Sequence, residues 1–238
     1  MIGKIIHWHE KSLPENLSDG IVKYILKEQL QPGDRLPNES VLAEQLGAGR
    51  SSVREAIKLL ASRNIVTVRQ GSGTYVSARP GVVEDPLGFT FIQDKRKLAE
   101  DLLEIRFLLE PAIAAWAAAY ATEEEIGRIR KLCDETEQLL KAGKDHTEKD
   151  VEFHTAISMS SKNLVVPRLT PVIHSAVPLF IDLTKSALRR ETIDTHREIT
   201  EAIAAHDAVR AQDAMYLHLV YNRRLIRTAD TLHSGDSL

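Results

Sequence analysis

The chain has 238 residues, 43% of them hydrophobic and 27% charged, a length and composition that suit two globular domains. Cys133 is its single cysteine, which excludes an intrachain disulfide and points to a reducing cytoplasm, and no apolar run approaches the ~20 residues of a membrane span. The formal net charge of −3 conceals an uneven distribution, with +3 over residues 1–79 and −6 over the remainder, and most of the positive excess lies between Gly47 and Arg79.

Residues 1–16 are weakly patterned and read as a loose arm; His7, His9 and Glu10 interrupt the apolar start before any signal-peptide core can form. Ile21, Ile25 and Leu26, with Val22 and Leu30, predict a helix over 17–30, stopped by Gln31-Pro32-Gly33. Asn38 can cap a short helix ending at Leu46, because its side-chain oxygen can accept from a free backbone N–H of the first turn. Gly47-Ala48-Gly49 breaks that helix. A further helix over 50–63 buries Val53, Ala56, Ile57 and Leu60 and leaves Arg50, Ser51, Ser52 and Arg54 near its exposed N-terminal end, as a recognition helix presents itself to a major groove. Two β-rich runs around the Gly-rich tip, 65–69 and 74–77, predict a hairpin wing. The local basic excess suits phosphate binding.

In order and spacing, Pro32-Gly33-Asp34-Arg35-Leu36-Pro37, Leu42-Ala43-Glu44-Gln45-Leu46, Ser52-Val53-Arg54-Glu55-Ala56 and Arg69-Gln70-Gly71-Ser72-Gly73-Thr74 resemble the winged helix-turn-helix of the GntR family of bacterial transcription regulators. The resemblance implies DNA contacts by Arg50, Ser51, Ser52, Arg54, Gln70 and Gly71. The chain departs from the family's usual Glu-Arg at Glu39-Ser40, and from its β-branched residue followed by Ser or Thr at Ala48-Gly49.

Pro80, Gly81, Pro86 and Gly88 mark residues 79–94 as a linker, which separates a DNA-binding domain over 1–78 from a second domain over 95–230. The pattern beyond the linker is helical. Helices are expected over 95–120, with Pro111 as a point where the first can bend, and from the capping box at Thr122–Glu125 to residue 140. Others follow over 148–159, 165–186, 192–206 and 207–228. The expected fold is mainly α: an N-terminal winged helix-turn-helix and a C-terminal all-α helical bundle. Asp150 and His154 stand four apart and share a helix face, while His196 and His218 lie about equally far from a break at His206-Asp207, so antiparallel helices would bring them level. Three imidazoles and a carboxylate suit a divalent ion, Zn²⁺ or Ni²⁺. His174 can line a cavity; His7, His9, His146, His206 and His233 receive no role.

The resemblance extends to this domain. Glu104-Ile105-Arg106-Phe107-Leu108-Leu109-Glu110-Pro111, Asp150-Val151-Glu152-Phe153-His154, His196-Arg197-Glu198-Ile199 and Met215-Tyr216-Leu217-His218-Leu219 are similar to the helical effector (FCD) domain of the family's FadR-type branch. Metal-binding members of that branch place one Asp and three His at Asp150, His154, His196 and His218. An arginine at the position of Arg106 pairs there with a carboxylate effector, for which bidentate Arg chemistry is suited. The plainer reading of Arg106 is an ion pair with Glu110 or Glu104. Asn222, one turn beyond His218, can add a hydrogen bond to the effector. The resemblance thus implies a cytoplasmic, homodimeric repressor of a palindromic operator, released by a hydroxy or sugar acid held near the metal. Two alternatives are a metal-dependent hydrolase, for which no base motif such as His-Glu-x-x-His is present, and a regulator that senses the metal itself.

Overall fold

The computed structural model describes residues 11–83, 85–174 and 189–233. These divide into two compact units, Met1–Pro86 and Leu87–Leu238. Residues 1–10 of the arm expected over 1–16, and the part of the expected 165–186 helix beyond His174, lie outside the described residues; residues 13–16 of that arm are helical.

In the first unit, α1 (Leu13–Lys27) starts earlier than the apolar pattern suggests, because the Ser12 backbone N–H donates to the Glu15 carboxylate at 2.8 Å and caps the first turn. It also ends earlier, since Gln29 adopts a left-handed φ of 53° ahead of the Pro-Gly pair. In α2 (Glu39–Leu46), the Asn38 side chain accepts from the N–H groups of Ser40 and Val41 at 3.1 and 3.0 Å, and Gly47 closes the helix in the left-handed conformation. Next, α3 (Arg50–Ser62) packs on both α1 and α2. Ile21, Leu42, Val53, Ala56, Ile57 and Leu60 meet in the core between these helices. Full burial of each of the larger side chains contributes roughly 1.5–3 kcal/mol.

Strands β1 (Val66–Arg69) and β2 (Gly73–Val76) pair antiparallel, Val66 opposite Val76 and Arg69 opposite Gly73. The sequence pattern missed a third edge. The Leu36 N–H donates to the Thr74 carbonyl and the Val76 N–H to the Asp34 carbonyl, both at 2.8 Å, so the Asp34–Leu36 segment runs beside β2. Arg35 lies across this edge so closely that a Cβ on Gly73 would sit 2.9 Å from its Nε. Gly73 also has φ 126°, a conformation L side chains rarely adopt, so a substitution there is strained even if Arg35 moves aside.

The second unit opens with a 3₁₀ turn at Phe89–Phe91 and continues as α4 (Lys95–Tyr120), which runs through Pro111, α5 (Glu123–Lys141), α6 (Thr147–Ser160), α7 (Val166–His174), α8 (Arg189–Ala204) and α9 (Ala208–His233). The Thr122–Glu125 capping box opens α5. No strand occurs among the described residues of this unit. Helix α4 packs along α9 and against α6, α7 and α8, while α5 packs on α6 and α8. Ala114, Ala117 and Ala118 are fully buried, which lets α4 approach its neighbours closely, and Ile126, Ile129, Phe153, Ile157, Ile199, Ile203 and Met215 fill the core. His206, at φ 55°, forms the turn between α8 and α9, and its Nδ1 lies 2.8 Å from the Ala118 carbonyl, pinning that turn to α4. This fold-back sets the imidazole cluster.

Candidate functional site

Two groups of residues follow from these elements, one on each unit. On the first unit, Arg50, Ser51 and Arg54 are exposed and Ser52 half-buried along the first turns of α3, with Gln70 and Gly71 exposed at the wing tip. Gly49 is the N-cap of α3 and supplies no side chain, so no side-chain oxygen covers the first N–H groups of that helix and no acidic residue occupies its first turn. Arg54 is engaged: its Nε lies 3.1 Å from both Glu39 oxygens and its Nη2 2.7 Å from Oε2. With most of the Arg54 side chain exposed, this pair orders the guanidinium more than it stabilises the fold. The Arg69 guanidinium stacks over the Tyr75 ring at 4.4 Å and stiffens the wing.

In the second unit, α6 carries Asp150 and His154 one turn apart, α8 carries His196, and α9 carries His218 and Asn222. The ring centroids of His154, His196 and His218 lie 4.9–5.5 Å apart, and each ring offers a nitrogen within 4.8 Å of the others. Asp150 Oδ1 is 3.5 Å from His196 Nε2 and Oδ2 is 3.8 Å from His154 Nε2. Phe153 stacks on His196 at 4.3 Å. All four candidate ligands are buried.

Burial drives the His196 and His218 imidazoles well below the ordinary histidine range, with neighbouring imidazoles adding to the effect. They are neutral at physiological pH, the form that binds a metal. The Thr195 hydroxyl lies 2.7 Å from the Glu191 carbonyl, to which it donates, so it accepts from His218 Nδ1 at 3.0 Å. That leaves the His218 Nε2 lone pair facing inward, 3.3 Å from Asn222 Nδ2. Asn222 thus touches a candidate ligand directly. Both nitrogens of His154 and of His196 are buried and make no aligned hydrogen bond among the described residues. Orphaned imidazole nitrogens beside a carboxylate are costly unless something binds them, and this donor set fits a divalent cation.

Arg106 is fully buried and pairs with Glu110, Nε to Oε1 at 2.6 Å and Nη2 to Oε2 at 3.2 Å, whereas Glu104 points to solvent. Of the two sequence readings for Arg106, the ion pair with Glu110 is therefore formed in this structure. Glu110 also draws in His154, whose Nδ1 is 3.2 Å from Oε2, and His174, whose Nε2 is 3.6 Å from Oε1. Sequence reasoning assigned Glu110 no role beyond that pairing and His174 no partner; the signal for Glu110 was its four-residue spacing from Arg106, and His174 had none. The trio Glu110, His154 and His174 also brings ligand atoms within 4.8 Å of one another, but the adjoining guanidinium disfavours a cation there. Burial lowers His174 to about 3. For Glu110, burial pushes upward but is overcome by Arg106, and the carboxyl sits well below its ordinary range.

Residues 13–76 match the family described as bacterial regulatory proteins, gntR family, and residues 101–221 match the FCD domain. The chain is 33% identical to the Uxu operon transcriptional regulator of Escherichia coli K12 over 82% of its length and 79% of the relative's. It is 30% identical to the HTH-type transcriptional regulator LutR of Bacillus subtilis 168, over 80% and 90% respectively. Among solved structures, a Streptococcus agalactiae GntR superposes with a TM-score of 0.79 at 42% identity, covering 89% of this chain and 99% of that one. These relatives are transcription regulators, which removes the hydrolase alternative. Among the described residues, no helix is long and apolar enough to cross a membrane. The chain is a DNA-binding transcription regulator of the GntR family with a C-terminal FCD domain.

Proposed function

We propose that the chain is a cytoplasmic, metabolite-responsive repressor that binds a palindromic operator as a homodimer and releases it when a small hydroxy or sugar acid binds the FCD domain. The observation that carries this reading is the buried cluster of Asp150, His154, His196 and His218, with orphaned imidazole nitrogens, beside the buried Arg106. Those four residues would hold Zn²⁺ or Ni²⁺. A divalent ion there supplies a Lewis-acidic partner for a carboxylate or hydroxyl oxygen. Arg106 presents the bidentate fork that a carboxylate needs, provided Glu110 yields it. Asn222 adds a donor at the edge of the cluster.

Homodimerisation is supported by an exposed apolar stripe along α4, formed by Ile105, Leu108, Trp116 and Tyr120. An exposed stripe of this kind, running along about four helical turns, suits a second copy. DNA recognition rests on Arg50, Ser51, Ser52 and Arg54 in the groove and on Gln70-Gly71 at the wing. The cluster comes from α6, α8 and α9, and the adjoining Arg106, Glu110 and His174 add α4 and α7, so an acid bound between them biases the packing of five helices at once. Coupling of this type is typically ~1–3 kcal/mol, or roughly 5- to 150-fold in operator affinity.

The test is metal analysis of the purified protein followed by a thermal-shift screen of hydroxy and sugar acids. An acid should stabilise wild type only with metal present and should fail to stabilise R106M/E110Q, in which the buried pair is neutralised as a unit. Failure to bind either metal or acid ends the sensor reading. Operator release by metal alone would instead make the ion the signal.

A further inference from the structure

Glu110 belongs to neither the ligand set nor the effector contacts proposed above, yet its carboxylate faces nitrogen donors from three helices. On α4 itself, Arg106 donates to both oxygens at 2.6 and 3.2 Å. From α6, His154 brings Nδ1 to 3.2 Å from Oε2; from α7, His174 brings Nε2 to 3.6 Å from Oε1. A carboxylate has about four lone-pair sites, so Arg106 leaves room for an imidazole N–H.

A neutral imidazole carries one ring proton. On Nε2 of His154, that proton would point towards Asp150 and the His196 and His218 rings, and the Nδ1 lone pair would be left against a carboxylate oxygen. On Nδ1, it faces Glu110 and leaves Nε2 open to the cluster. We propose that Glu110 is a positioning residue for the metal: acting through His154, it holds the tautomer and ring orientation in which Nε2 is the ligand atom. The proposal rests on the metal reading above and adds a residue to it. Thr195 stands behind His218 as a neutral acceptor in an aligned hydrogen bond at 3.0 Å, whereas the Glu110 oxygen lies in reach of His154 Nδ1 at 3.2 Å without being aligned. A charged acceptor raises the basicity of its imidazole further, and loss of such a partner typically costs roughly 10- to 100-fold in metal affinity. Arg106 has a part in this arrangement, since its guanidinium grips both Glu110 oxygens, at 2.6 and 3.2 Å, and fixes the carboxylate plane that His154 faces.

Removing Glu110 alone would strand Arg106, so the test compares two double variants that both abolish the ion pair. R106M/E110Q keeps an amide oxygen that can accept from His154 Nδ1; R106M/E110L keeps none. Folding of each is verified by circular dichroism, and Co²⁺ affinity is then measured by chelator competition together with the visible d–d spectrum of the bound ion, which reports ligand geometry. R106M/E110L should bind Co²⁺ roughly 10- to 100-fold more weakly than R106M/E110Q, with an altered d–d spectrum, and R106M/E110Q should keep the wild-type spectrum. Equal affinities and spectra in the two variants, or failure of R106M/E110L to fold while R106M/E110Q binds no better than His154→Ala, would overturn the positioning role alone. Failure of wild type to bind Co²⁺ would overturn the metal reading and this inference with it.

Discussion

Arg106→Ala is the obvious probe of the proposed effector site, and the structure predicts that it damages the fold before it reports on ligand. The Arg106 and Glu110 side chains are only 2% and 4% exposed. Deleting one partner of so buried a pair leaves an uncompensated charge, at a cost of about 3–5 kcal/mol. For a unit of this size that corresponds to a fall of roughly 6–20 °C in Tm. R106M/E110L, which removes both charges and fills the space with apolar atoms, should lie at or above wild-type stability. The pH dependence sharpens the contrast. In wild type, burial pushes the Glu110 carboxyl up but Arg106 brings it well below the ordinary range, so its stabilising contribution is present above the unfolded value of about 4.3 and is lost as pH falls through the lowered folded value. In Arg106→Ala, burial prevails and the folded carboxyl rises above its unfolded value; stability is then lost as pH rises. The gap between wild type and variant should therefore be small near pH 4 and widen towards pH 8. Urea denaturation of the metal-free proteins across that range, followed by circular dichroism, measures it. A gap below about 0.5 kcal/mol at pH 8, of the size typical for exposed sites, would refute the reasoning.

Two further outcomes test the remaining surfaces. Arg50→Ala, at an exposed position in the first turn of α3, should abolish specific operator binding in a gel-shift titration while leaving the thermal melt within about 0.5 kcal/mol of wild type; retained operator affinity counts against the recognition-helix assignment. Leu108→Asp places a charge in the exposed stripe of α4 and should give a folded monomer by light scattering, whereas an unchanged dimer would move the interface elsewhere.

Much of this architecture is legible in the sequence because its signals are local. Asn38, the Thr122–Glu125 box and the 95–120 apolar pattern specify helix ends and faces through a few adjacent residues, and the hairpin follows from β-rich runs around a glycine tip. The start of α1 was equally local, a Ser12–Glu15 box, but lies ahead of the first apolar repeat at Leu17 and so escapes a reading by periodicity. The edge formed by Asp34–Leu36 depends on a pairing with residues some forty positions later, for which no local pattern exists. Within the imidazole cluster, Asp150 and His154 stand out by helical spacing, and His196 and His218 by their distances from a common turn. Glu110 and His174 do not, because their meeting depends on how α7 is set against α4.

The same spacing of four residues has opposite consequences at two places in this unit. Arg106 and Glu110 neutralise one another on α4 and can remain buried without a ligand. Asp150 and His154 on α6 do not: they face His196 and His218 with ring nitrogens that find no hydrogen-bond partner among the described residues. A core that buries several polar groups forgoes hydrophobic stabilisation, and this one does so where five helices meet. On the proposed function, binding there would stabilise whichever helix arrangement best satisfies the cluster, so the same polar core would let a small ligand choose between packings. Glu110 lies between the self-contained pair and the incomplete set, in reach of both. An acid that competes for Arg106 must therefore change the surroundings of His154, and a cation that engages His154 must change the hold of Glu110 on Arg106; linkage makes that influence reciprocal.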